Sequence, residues 1–152
     1  MMRNWYNPKD RTDLLARLGN LRPDSPRKWG TMTAGEMVCH VSDPVRAALG
    51  DKPLKKESSP IGLPVISTLA VWVAPWPKGA PTSDAFIAGR GMTPPDEFLA
   101  DKAALLALLQ RFTEYPEDRE LGESPVFGRL SRRAWGRLQW RHLDHHLRQF
   151  SC

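Results

Sequence analysis

Few folds can accommodate the run Trp140-Arg141-His142-Leu143-Asp144-His145-His146-Leu147-Arg148-Gln149-Phe150, which carries three of the chain's four histidines. At about 100° per residue, Trp135, Leu138, His142, His146 and Gln149 share one side of a helix. Arg133, Arg137, Arg141 and Arg148 take the opposite side, joined by Asp144, and Trp140, Leu143 and Leu147 flank the histidines. Such a division sends the histidine side into a core and the arginines to water. Burying two imidazoles one turn apart is costly unless something pairs with both. A divalent metal does so, accepting the neutral ring nitrogen at about 2.0–2.1 Å. His145 projects to one side of the His142 and His146 line and stays outside the ligand set.

The remaining histidine, His40, lies about a hundred residues upstream. Thr33 and Glu36 have the spacing of a capping box, which predicts a helix over about 34–49 ended by Gly50. Met37, His40, Val41, Ala47 and Ala48 share one broad face of it. Pro44 withholds an amide from the carbonyl of His40, so the helix should bend there, unless Asp43-Pro44 starts a fresh short helix. A lone histidine on an apolar face is most often a structural residue with one hydrogen bond. The His142/His146 pair changes that balance and makes His40 the natural third ligand. Three imidazoles leave coordination positions open, the pattern of a reactive site rather than a closed structural one. Glu36 and Asp43, about one turn either side of His40, are candidates for supporting it. Their plainer roles are capping and solvation. Cys39 points away from His40 and reads as packing, and Cys152 as a mobile terminal residue.

Elsewhere, Asn7-Pro8 predicts a helix start, with Leu14, Leu15 and Leu18 at core spacing and Gly19 as the stop, over about 8–18. Thr93 before Pro94 and Pro95 predicts a helix over about 96–112. Its stripe is Phe98, Leu99, Leu105, Leu106, Leu108, Leu109 and Phe112. Ser131 is the expected cap of the C-terminal helix. Between these helices, Lys52 to Lys56 reads as a solvated charged turn, and Ile61 to Val73 as a short helix or a strand. The stretches 74–95 and 113–130 read as loop. Four helices with a long second connection suggest a bundle with a crossover. The 152 residues suit one domain, 1–152, with a sizeable core. No apolar run is long enough for a membrane helix and the N-terminus lacks a signal-peptide core, so a cytoplasmic protein with two reduced thiols is expected. A net charge of +5 permits contact with nucleic acid through the arginine face. That face carries no interleaved aromatics for base stacking, so nucleic acid is an unfavoured partner. A metal-free interaction bundle is the other alternative.

Trp29-Gly30, Met32-Thr33-Ala34-Gly35-Glu36-Met37 and His40, followed by His142-Leu143-Asp144-His145-His146-Leu147-Arg148-Gln149-Phe150, resemble the DinB-like superfamily. The ending His-x-x-x-His-x-x-Gln-Phe carries most of the likeness. The resemblance implies an all-α four-helix bundle with a long crossover between its second and third helices. It implies a divalent metal, zinc or nickel, held by His40, His142 and His146. Relatives include S-transferases that use a low-molecular-weight thiol and proteins described as metal-dependent hydrolases, and homodimers are common among them. The expectation is therefore a metal-dependent enzyme acting on a small-molecule substrate, a thiol S-transferase or a hydrolase. A metal in such a site lowers the pKa of water or activates a thiol as thiolate.

Overall fold

The computed structural model describes residues 2–53, 64–79 and 84–152. Among them the chain is helical, with no β-strand. Five α-helices occur in order: α1 (Pro8–Asn20), α2 (Ala34–Leu49), α3 (Pro64–Trp72), α4 (Phe98–Glu114) and α5 (Arg132–Gln149), with a short 3-10 turn at Asp84–Phe86. No helix among the described residues is long and apolar enough to cross a membrane.

Most helix starts follow the local chemistry. The Asn7 side chain accepts from the amides of Lys9 and Asp10, and Ser131 accepts from Ala134. Thr33 and Glu36 close a reciprocal capping box. Gly50 ends α2 at φ 77°, a left-handed conformation that costs glycine nothing. Two expected boundaries move. Gly19 does not stop α1, which continues to Asn20 and caps at Leu21. Helix α4 starts later than Pro94-Pro95 implies, because the carboxylate of Glu97 caps it by accepting from Ala100. Thr93 is instead bound to Asp43. The apolar stretch before Val73 resolves as helix α3, while Ile61 and Gly62, like Leu54 to Lys56 of the expected charged turn, lie outside the described residues.

Helix α2 is central. It runs unbroken through Pro44 and buries residues around most of its circumference, including Met37, Val38, Val41 and Val45, so no fresh helix begins at Asp43-Pro44. It packs on α4 and α5, while α1 and α3 pack on α5. Trp5, Leu14, Leu18, Leu105, Leu109, Phe112, Trp135, Leu143, Leu147 and Phe150 complete a single core cluster. Each such side chain contributes about 1.5–3 kcal/mol by leaving water. Leu99 and Leu106, expected in the α4 stripe, remain exposed.

Helix α3 is held differently. Val71 is its one buried residue. Trp72 packs against the core from its edge, and the arginines expected to face water supply most of the polar grip. Arg141 donates to the carbonyls of Ala70, Val71 and Ala74, and Arg137 to those of Trp72 and Arg3. Hydrogen bonds to charged donors contribute about 1.5–3 kcal/mol each, so this clasp outweighs the burial of one valine. The carbonyls at the C-terminal end of a short helix are the partners that draw long cations down from the neighbouring helix α5. Asp144 also turns inward, accepting from Arg17 and Arg148. Cys152 is tied down rather than mobile, its amide donating to Leu147 and its carbonyl accepting from Arg17.

Candidate metal centre

The packing of α2 on α5 brings His40, His142 and His146 together. Their ring centroids form a nearly equilateral triangle with sides of 4.9, 4.6 and 4.8 Å. One ring nitrogen from each lies within 4.8 Å of the others, close enough to hold a metal ion. His40 and His146 are 4% and 7% exposed, and His142 keeps a partly exposed edge. His145 lies beside them, its ring 5.1 Å from that of His146, and is not among the converging three.

Hydrogen bonds fix two of the three tautomers. His40 Nδ1 sits 3.0 Å from the carbonyl oxygen of Phe86, and a carbonyl only accepts, so the proton is on Nδ1 and Nε2 is bare. Gln149 donates its Nε2 to the carbonyl of Trp29 at 2.8 Å, which turns its Oε1 toward His146 Nδ1 at 2.8 Å. The Nδ1 of His146 therefore donates, and its Nε2 is bare as well. His142 Nε2 stands 3.0 Å from His40 Nε2. Without an ion, His142 has to donate into the bare nitrogen of His40. With that proton on Nδ1 instead, three lone pairs meet at one point.

No carboxylate among the described residues bonds these three rings, and Asp43 offsets the burial of His40 only in part, so charge is unwelcome on all of them. Burial pushes His40 down and His142 well down, and the other histidines around His142 add to the effect. His146 is lowered to about 3, by burial first and then by His40. A cluster of neutral imidazoles is the donor set that zinc, nickel and other borderline cations favour. The residues fit a divalent metal.

The supports are not the acids that the sequence offered. Glu36 is consumed in the capping box. Asp43, fully buried, accepts from Arg46, Lys52 and both the amide and the hydroxyl of Thr93. Lys52 is accordingly no solvated turn residue. It bonds Asp43, the Gly91 carbonyl and Thr93. Cys39 is buried and its thiol is pushed up to about 11 by that burial, with Asp101 adding, so it stays a thiol at neutral pH.

The supports that sequence reasoning missed are the Phe86 carbonyl, which carries no sequence signal, and Gln149, which does. Gln149 follows His146 by three residues, one turn along the same face. Gly30 belongs to the same device. It has φ +77°, and a Cβ there would lie 2.6 Å from Gln149 Nε2. A glycine lets the chain pass close enough for the Trp29 carbonyl to hold the amide.

No curated protein and no solved structure matches the chain. A family model does match, over residues 65–152, from α3 through the pair His142 and His146 but without His40. That stretch is more than half of the sequence, and the chain belongs to the family described as "Protein of unknown function (DUF1569)".

Proposed function

We propose that the protein binds one divalent metal, zinc or nickel, through His40, His142 and His146, and is a metal-dependent enzyme acting on a small molecule. The observation that carries this reading is the convergence of three imidazoles, two of them buried and with the outer nitrogen already occupied by an acceptor. Three bases packed together without an acid have no structural advantage of their own. Such an ion would supply Lewis acidity, easing loss of the proton from a water or a thiol placed on it. The chain's own part is to hold the rings in the ligating tautomer. Phe86 does this for His40, and Gln149, set by Trp29, does it for His146. Ligands from one side chain on α2 and two on α5 support placing the protein among DinB-like bundles, with α3 inside a crossover between α2 and α4. A low-molecular-weight-thiol S-transferase is the favoured reaction class, with hydrolysis second.

Elemental analysis after gentle purification tests the metal directly. The expected result is about one divalent ion per chain, lost in His142→Ala. Equal metal content in that variant would reject the assignment. A thiol-transfer screen of the reconstituted protein then separates the two reaction classes.

A non-catalytic interaction role draws on one observation. Val65, Ile66, Leu69 and Val73 of the α3 region are exposed, an apolar surface of the kind that partners cover.

A further inference from the structure

The histidine centre is sealed on one side and furnished on the other. His40 and His146 are buried, whereas His142, His145, Trp29 and Trp76 are all partly exposed. Trp29 and Trp76 meet the His145 ring at 5.7 and 6.0 Å, and Trp76 stands 5.9 Å from His142. Trp76 is fixed: it donates its Nε1 to the carbonyl of Ala70 at 2.8 Å and lies under the Arg141 guanidinium. Trp29 has its backbone carbonyl held by Gln149. Two partly exposed indoles around His145 offer apolar surface on the open side of a cluster of bases.

The unpaired charge beside these indoles is positive. Lys78 Nζ lies 5.0 Å from the centre of the Trp29 ring, exposed, with no carboxylate partner among the described residues. Arg27 bonds only the Gly30 carbonyl there. Asp144, the one acid on α5, is already taken by Arg17 and Arg148. An ammonium resting on an indole face keeps N–H donors for a ligand, and the ring contact holds it in place at little cost.

We infer that these two indoles and Lys78 form a binding site for a small organic acid, its apolar body against Trp29 and Trp76 and its carboxylate on Lys78. The inference rests on the metal-centre reading for the reacting end of the site, which the acid's body would reach past His145. Lys78 and the two indoles then set which substrates enter, while the histidines set what happens to them.

Calorimetric titration with phenylacetate, and with phenylacetamide as its neutral twin, tests the site on both metal-loaded and chelator-treated protein. Phenylacetate should bind about five- to tenfold more tightly than phenylacetamide. Lys78→Glu should remove that preference in both forms of the protein, and Lys78→Arg should keep it. Lys78 is exposed, so neither variant threatens the fold, and far-ultraviolet circular dichroism checks this. Equal binding of the two probes, no binding of phenylacetate, or a preference indifferent to Lys78→Glu would each overturn the site. A Lys78-dependent preference that survives chelation, in protein that never carries metal, would uphold the acid site and sink the metal reading. A preference seen only with metal and blind to Lys78 would do the reverse.

Discussion

His40 and Asp43 lie three residues apart on α2, both buried, and the protein treats them in opposite ways. Asp43 is 0% exposed and fully served. Two cations, an amide and a hydroxyl converge on its two oxygens; burial raises its pKa, but the bonds from Lys52 and Thr93 outweigh that and hold it below its ordinary range. The result ties the segment before α4 onto α2. His40 has one protein acceptor on its outer nitrogen, and its inner nitrogen faces two further bases. A polar node that only builds the fold ends with its hydrogen bonds made. One that leaves like groups facing each other is shaped around something else.

The largest expected effect tests that contrast at the histidines. Chelation should lower the melting temperature of the wild type, by the equivalent of about 4 kcal/mol when free metal had stood about a thousandfold above its dissociation constant. It should leave His142→Ala unmoved. A wild type indifferent to chelator would make the two nodes alike. Next comes Asp43→Ala, which strands Lys52 and Thr93 and should cost about 3 kcal/mol in denaturant unfolding, with metal content per folded chain unchanged. A loss of metal from the folded variant would merge the nodes into one. Third, Gln149→Ala frees the His146 ring and should weaken metal affinity by about 10–100-fold in competition with a chromophoric chelator. The affinity of the wild type in that variant would remove Gln149 from the centre.

The smallest effect concerns acid. Burial holds His146 at about 3 against an ordinary 6.5, so the unfolded chain takes up that proton first. Its contribution to stability is complete above pH 6.5 and disappears as pH falls from 6.5 toward 3. In metal-free protein at about pH 5.5 the loss from this ring is about 1.4 kcal/mol. His146→Gln should therefore lose less stability than the wild type between about pH 7 and about pH 5.5. Parallel losses would show that the ring is not held neutral by the fold.

Much of this was legible in the sequence, for identifiable reasons. Capping is local chemistry, so Asn7, Thr33 with Glu36, Gly50 and Ser131 marked real helix ends. The spacing of His142 and His146 placed both rings on one side of α5, and His40 does join them. What escaped depends on partners far away in the chain. Arg137 and Arg141 look like a solvated face until α3 offers its carbonyls. Asp43 looks like a neighbour of His40 until Lys52 and Thr93 claim it. Phe86 contributes a backbone oxygen, which no side-chain pattern announces.

The arginine clasp has a mechanical corollary. Arg141 immediately precedes His142 and grips α3 just ahead of Trp76, while lying over the Trp76 ring itself. The short helix and the Trp76 ring therefore hang from the same post as His142. Any partner that pried α3 loose would swing that ring aside and leave the helix's end carbonyls bare, so an event on the outer surface of α3 would be felt directly at the three rings.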